Sequence, residues 1–166
     1  EIGVDEAGRG PLFGRVYTAA VILPKGSEFD HASMKDSKRF HSEKKINEVA
    51  EYIKKNAISW FVSYEDETVI DKINIRQATL QSMHNSIKGA ILKNESDFDT
   101  ISDVDPDKYM LLIDGNDFKP LTYLHNSNFV GVEHTCIEGG DNKYTAIAAA
   151  SILAKVARDE YIKELC

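Results

Sequence analysis

Alternating apolar and polar positions at the start of the chain predict a β-strand. Ile2 and Val4 alternate with Gly3 and Asp5, which is the two-residue period of a strand. The stretch 16–23 is rich in β-branched and apolar residues. It predicts a second strand, joined to the first as a hairpin through a short turn-forming link.

Three later stretches predict the remaining strands. The stretch 58–64 has Trp60 and Val62 on one face of a predicted strand. The apolar run 109–113 is continuous, as is typical of a strand that is buried on both faces. A weaker strand is predicted over 129–137, and the polar stretches before 109 and after 113 predict loops.

Three segments carry the three- to four-residue apolar spacing of helices. The first begins after Ser42, a predicted N-cap, the second covers about 68–92, and the alanine-rich third covers 144–163. The buried stripes of the first two are Ile46, Val49, Ala50 and Ile53, and then Ile73, Ala78, Leu80, Met83, Ile87 and Ile91. This order of elements predicts an α/β fold, with a mixed sheet flanked by helices on both sides.

Composition narrows the class of protein. The 166 residues correspond to about one domain, which we expect to cover 1–166. Two cysteines, Cys136 and Cys166, form no disulfide framework and favour a reducing, cytoplasmic compartment. No run approaches the roughly 20 apolar residues of a membrane span. The net charge of −7 argues against a broad basic surface for nucleic acid but allows a local one.

Carboxylates at predicted strand ends indicate the chemistry. Asp5 and Glu6 end the first strand, and the turn Gly8-Arg9-Gly10 follows. Carboxylate oxygens suit Mg2+, which binds through one or two carboxylates, waters and substrate phosphates. Glycine backbone N–H groups can approach an anion closely. A solvated strand end followed by a tight surface turn is the simpler alternative.

Two further acids extend this pattern. Asp114 also ends an apolar strand, and it would stand beside Asp5 if the two strands are neighbours. Asp159 lies on the alanine-rich helix, whose small residues would let it approach the sheet closely. The alternatives are an Asp-Gly turn at Asp114 and an exposed Asp159 paired with Arg158 or Lys155. Together with Asp5 and Glu6, these acids match the carboxylate sites that hold two metal ions and cleave phosphodiesters.

The chain resembles the type 2 ribonuclease H family, ribonuclease HII. The matching segments occur in the family's order and span nearly the whole chain. They are Gly3-Val4-Asp5-Glu6-Ala7-Gly8-Arg9-Gly10-Pro11-Leu12, Asp36-Ser37-Lys38, Asn74-Ile75 with Ala78-Thr79, Leu112-Ile113-Asp114-Gly115, Gly140-Asp141, and Ile147-Ala148-Ala149-Ala150-Ser151-Ile152 continuing to Ala154-Lys155-Val156 and Arg158-Asp159.

The resemblance implies a ribonuclease H-like fold with a five-stranded mixed sheet. It also implies an endonuclease that hydrolyses the RNA strand of RNA–DNA hybrids and incises at ribonucleotides embedded in duplex DNA. Two Mg2+ or Mn2+ ions would activate water and stabilise the leaving 3′ oxygen, giving 5′-phosphate and 3′-hydroxyl ends. The implied metal-binding catalytic acids are Asp5, Glu6, Asp114 and Asp159. The implied nucleic-acid contacts of this monomer are Gly8, Arg9, Gly10, Lys38, Asn74 and Ser151.

The chain departs from the family pattern in three places. The stretch Gly139-Gly140-Asp141 lacks the lysine that is usual before the last helix. Phe13 and Arg15 stand where the family commonly has a small residue and proline. The family continues into a segment with a Gly-Tyr that packs at the ribonucleotide, and this chain is expected to lack that segment. A non-catalytic or impaired hybrid-binding fragment, and a DNA-directed nuclease of the same fold, are therefore the alternatives.

Overall fold

A five-stranded sheet forms the centre of the computed structural model, which describes residues 1–7, 14–26, 29–35 and 42–165. The strands of this sheet are β1 (Ile2–Ala7), β2 (Val16–Ile22), β3 (Ser59–Glu65), β4 (Met110–Asp114) and β7 (Glu133–Ile137). Two further strands, β5 (Thr122–His125) and β6 (Asn128–Gly131), form a separate hairpin.

The order of strands across the main sheet is β3-β2-β1-β4-β7. β1 pairs antiparallel with β2 and parallel with β4, so the sheet is mixed, as predicted. β2 pairs antiparallel with β3, and β4 pairs parallel with β7. β1 is therefore the central strand, and its carboxyl end lies at the same edge as the carboxyl end of β4.

Six α-helices connect and cover the strands in the described part of the chain. They are α1 (His31–Lys35), α2 (Glu43–Asn56), α3 (Glu67–Ile73), α4 (Ile75–Asn94), α5 (Gly140–Lys143) and α6 (Thr145–Leu165). Two single-turn 3-10 helices, Ile101–Asp103 and Pro106–Lys108, lie in the stretch predicted as a loop. None of these helices combines the length and apolar character needed to cross a bilayer.

Helices cover both faces of the sheet because alternate strand residues face opposite sides. On one face, Val4 and Ala20 pack with Leu80 and Ile87 of α4. On the other face, alternate residues of β2 pack against α2 and α6. α6 approaches β1 so closely that a methyl group on Gly3 would lie 2.1 Å from the carbonyl carbon of Ala146. Gly3 thereby fixes the start of α6 against the central strand.

Two predicted elements are divided in the structure. The helix predicted over 68–92 is broken at Asn74, whose φ of 72° lies in the left-handed region. The Asn74 side chain accepts a hydrogen bond from the Gln77 N–H and caps α4. The strand predicted over 129–137 is divided into β6 and β7, and β6 pairs with β5 outside the main sheet. Only Ile46, Ala50 and Ile53 of the predicted α2 stripe are fully buried.

Candidate active site

Asp5 and Asp114 meet at the carboxyl ends of the two central parallel strands. The register pairs Val4 with Ile113, so the next residue of each strand is a carboxylate on the same face of the sheet. Asp5 is only 5% exposed, and its carboxyl group lies within hydrogen-bonding contact of the Asp114 carboxyl. The expected juxtaposition of these two acids is therefore present in the structure.

The electrostatics of this pair depend chiefly on burial. Burial and, after it, the negative charge of Asp114 together raise the pKa of Asp5 to about 8. The Glu6 backbone N–H opposes the shift by donating to Asp5 Oδ1 at 2.8 Å. Two like charges in contact are unfavourable, the more so when one of them is buried. The pair therefore holds a proton near neutral pH unless a cation replaces it.

A backbone donor also holds Asp114. The Gly140 N–H donates to Asp114 Oδ1 at 2.8 Å, which joins the start of α5 to the end of β4. A Cβ on Gly140 would lie 3.2 Å from the same oxygen and 2.6 Å from Ile147. This close approach favours glycine, and it fixes one oxygen of the Asp114 carboxylate.

Glu6 is the third acid at this edge of the sheet. It lies opposite Thr18 of β2 and is partly buried. Its charge also raises the pKa of Asp5, although less than burial and Asp114 do. The structure thus brings three of the four predicted acids to one region, around the carboxyl end of β1.

Asp159 lies on α6, the helix that runs beside β1. It lines a groove with Ser42, Glu43 and Lys163, and its side chain is 41% exposed. Arg158 Nη1 lies 4.0 Å from Asp159 Oδ1. α6 begins against Gly3 of β1 and continues to Tyr161, which packs on Tyr17 opposite the last residue of β1. Asp159 therefore lies on the part of α6 toward the carboxyl end of β1, and its role as a catalytic acid stays a prediction.

Asp141 is an acid near this edge of the sheet to which the sequence interpretation assigned no role. It follows directly after Gly140, the residue that binds Asp114, and it lies in the first turn of α5. The signal was an acid immediately before the last helix, in the stretch Gly139-Gly140-Asp141. Because β7 is the neighbour of β4, the chain leaving β7 passes the carboxyl end of β4 at this point.

The predicted nucleic-acid contacts are only partly covered by the structure. Gly8, Arg9, Gly10 and Lys38 lie outside the described residues. Asn74 is exposed at the start of α4, where its side chain is already engaged as the helix cap. Ser151 is partly buried on α6. Their role in binding stays a prediction.

The donor set fits a divalent cation that is completed by other ligands. In the described part of the chain, no group of three or more His, Cys, Asp or Glu side chains is arranged to hold a metal ion. Mg2+ needs only one or two carboxylates when waters and substrate phosphates supply the rest. The contact between buried Asp5 and partly buried Asp114 meets this need, because a cation would offset both the burial of the Asp5 charge and its repulsion by Asp114.

Sequence comparison decides the family of this chain. A model of the ribonuclease HII family matches residues 2–166. The chain belongs to the ribonuclease HII family. Ribonuclease HII of Parabacteroides distasonis is 42% identical over 165 residues, which cover 99% of this chain and 70% of that protein. Ribonuclease HII of Cytophaga hutchinsonii is 41% identical over the same shares of both chains.

Solved structures agree with the fold of a ribonuclease HII. The ribonuclease H2 of Pyrococcus horikoshii aligns with a TM-score of 0.73 at 20% identity, covering 99% of this chain and 74% of that one. The ribonuclease HII of Archaeoglobus fulgidus, solved as a complex with PCNA, aligns with a TM-score of 0.68 at 23% identity and the same coverage. Bst-RNase HIII in complex with Mn2+ aligns with a TM-score of 0.59 at 19% identity, covering 99% and 53%. The predicted ribonuclease H-like fold is confirmed.

Proposed function

We propose that this ribonuclease HII is a metal-dependent endonuclease acting on the RNA strand of RNA–DNA hybrids and at ribonucleotides embedded in duplex DNA. Its products would carry 5′-phosphate and 3′-hydroxyl ends. The observation that carries the proposal is the buried contact between Asp5 and Asp114 at adjacent strand ends, in a chain whose family is one of endoribonucleases. A single domain, a monomer and a cytoplasmic location remain predictions from the sequence.

Mg2+ or Mn2+ is the proposed cofactor, held by Asp5 and Asp114 with Glu6 beside them. Bound divalent ions lower the pKa of a water molecule and stabilise charge on a leaving oxygen. The Mn2+ complex of a ribonuclease HIII with the same fold supports this choice of ion. Asp141 is proposed as the next acid of the site, because Gly140 ties its helix to Asp114.

The chain's own groups prepare the acids for this role. The N–H groups of Glu6 and Gly140 each hold one carboxylate oxygen, of Asp5 and Asp114 respectively. These bonds fix the orientation of both carboxylates before substrate arrives, which reduces reorganisation during the reaction. The stretch Gly8-Arg9-Gly10, which begins two residues beyond Glu6, is proposed to contact the ribonucleotide, where the 2′-hydroxyl distinguishes RNA from DNA.

A panel of duplexes tests the proposed activity. With Mg2+ or Mn2+, the protein should cleave an RNA–DNA hybrid and a DNA duplex that carries one ribonucleotide. An all-DNA duplex of the same sequence should stay intact, and EDTA should stop cleavage of the other two. Product ends are identified by their response to phosphatase and by ligation. Cleavage of all-DNA duplex would favour a DNA-directed nuclease, and binding of hybrid without cleavage would favour an impaired binding fragment.

Paired substitutions separate the two candidates for the fourth acid. Asp141→Asn should lower kcat by about 10²-fold, equivalent to about 2.7 kcal/mol, since Asp141 adjoins the Asp114 backbone contact. Asp159→Asn should also lower kcat, because α6 carries this residue toward the carboxyl end of β1. Steady-state cleavage of the single-ribonucleotide duplex measures both. The variant that keeps the parent kcat would remove its acid from the proposed site.

A further inference from the structure

Arg15 lies in an aromatic cluster beside the candidate active site. Its guanidinium carbon is 4.1 Å from the centre of the Tyr64 ring and 4.1 Å from that of the Tyr161 ring. Its Nη1 donates to the Tyr17 hydroxyl at 3.0 Å. We call Arg15, Tyr17, Tyr64 and Tyr161 the Arg15 cluster. The cluster joins β2, β3 and α6, and it holds a flexible side chain in one orientation.

The cluster leaves hydrogen-bond donors of Arg15 available. The two rings cover the faces of the guanidinium, and the Tyr17 hydroxyl occupies Nη1. Among the described residues, the Tyr17 hydroxyl is the one hydrogen-bond acceptor of Arg15. The remaining donors of Arg15 have no acceptor in that part of the chain. They include Nε and Nη2, which together form the planar fork that binds phosphate through two hydrogen bonds.

Arg15 also has no carboxylate in ion-pair contact among the described residues. No ion pair of that part of the chain includes Arg15. The hydrogen bond to Tyr17 raises the pKa of Arg15 most, and the charges of the three tyrosines of the cluster raise it further. In a chain with a net charge of −7, a cation held in place with no carboxylate partner indicates a site for an external anion.

The position of Arg15 relates this site to the acids. Asp5 pairs with Ala19, and Ala7 pairs with Tyr17, so Arg15 lies beyond the carboxyl end of β1. Arg15 is four positions before Ala19, the partner of Asp5, and so lies about 13 Å along the chain direction from the level of Asp5. Since each strand of a duplex advances about 3.4 Å per nucleotide along the axis, a phosphate at that distance lies within about four nucleotides of the acids.

We propose that Arg15, held by the Arg15 cluster, binds a backbone phosphate of the substrate duplex a few nucleotides from the cleaved bond. This inference rests on the proposed function and extends it to a binding residue. A contact made equally in the ground state and the transition state lowers KM without changing kcat. Arg15 is thus a positioning residue that sets the register of the duplex.

The test compares two variants that each lose one positive charge. Arg15→Gln removes the proposed contact, and Lys25→Gln removes an exposed charge at the opposite end of β2. Cleavage of the single-ribonucleotide duplex is measured in Mg2+ at several salt concentrations. For Arg15→Gln we expect KM to rise about tenfold at unchanged kcat, which is the effect of losing about one charged hydrogen bond. The slope of log(kcat/KM) against log salt should become shallower by about 0.9.

Controls separate phosphate binding from packing. Lys25→Gln should match the parent protein in KM and in slope, and Arg15→Lys should keep the parent slope because it keeps the charge. Arg15→Met, whose straight chain fills the space between the rings, repeats the test if Arg15→Gln unfolds. A folded Arg15→Gln or Arg15→Met with the parent KM and slope overturns the inference, even if its melting temperature falls. A parent protein that does not cleave the duplex overturns the proposed function instead.

Discussion

Replacing Asp5 with asparagine should lower the rate of cleavage at a single ribonucleotide by roughly 10³-fold or more, equivalent to about 4 kcal/mol of transition-state stabilisation. Asp5 is the most buried of the candidate acids and contacts Asp114 directly. Asparagine has nearly the same shape but cannot become the anion that a divalent cation requires. The measurement is single-turnover cleavage in Mg2+ and in Mn2+, with product ends resolved by electrophoresis.

A matched control makes this result specific. Asp97→Asn changes an exposed acid in the stretch after α4, and it should leave the rate unchanged. Thermal unfolding of Asp5→Asn in EDTA should show a folded protein, since the substitution removes a buried like-charge contact. An Asp5→Asn variant with the full parent rate is incompatible with the proposed site.

The stability of the metal-free protein should fall as pH rises between about 4 and 8. The folded-state pKa of Asp5 is about 8, whereas an unfolded aspartate titrates near 4. The folded state therefore binds more protons than the unfolded state across this window, and the free energy of unfolding decreases with pH. The contribution of protonated Asp5 to the free energy of unfolding is fully lost above pH 8. Between pH 5 and pH 8 the free energy of unfolding should fall by up to about 4 kcal/mol.

Comparison with Asp5→Asn isolates this effect from other titrating groups. Urea unfolding in EDTA at pH 5 and at pH 8 gives the change for both proteins, and the parent should lose more stability than the variant. Adding Mg2+ at pH 8 to 100 times its Kd should restore about 2.7 kcal/mol to the parent, a rise of roughly 5–10 °C in Tm. Equal pH profiles for parent and variant, or an equal response to Mg2+, would contradict a cation site at Asp5.

The pattern of apolar residues predicted the main sheet because its strands have strong signals. Apolar and polar residues alternate in β1, and β2 consists mostly of apolar residues. β4 is apolar up to Asp114. The β5–β6 hairpin was not predicted, because its strands have four residues each and expose Leu124 and Phe129 to solvent. The break at Asn74 depends on one backbone angle. A polar residue between two apolar helical stretches does not reveal that angle.

The sequence predicts the positions of the candidate acids to different extents. Asp5 and Asp114 each end a strand, and strand ends are fixed by the sheet, so their meeting followed once the strands were neighbours. The position of Asp159 depends on the rotation of α6, which its packing against the sheet and α2 determines. Asp141 became visible as a site candidate only through the hydrogen bond from Gly140 to Asp114, a contact between residues far apart in the chain.

The parallel pairing of β1 with β4 has a consequence for how activity arises during synthesis. The hairpin of β1 and β2 can form from the first residues alone, whereas β4 reaches its place only after the long crossover through α2, β3 and α4 has emerged. Closing so long a connection is a late and slow event in folding. A nascent chain that has folded only β1 and β2 therefore holds Asp5 in place without Asp114, and it cannot form the proposed metal site. We therefore expect nuclease activity to begin only after β4 has paired with β1.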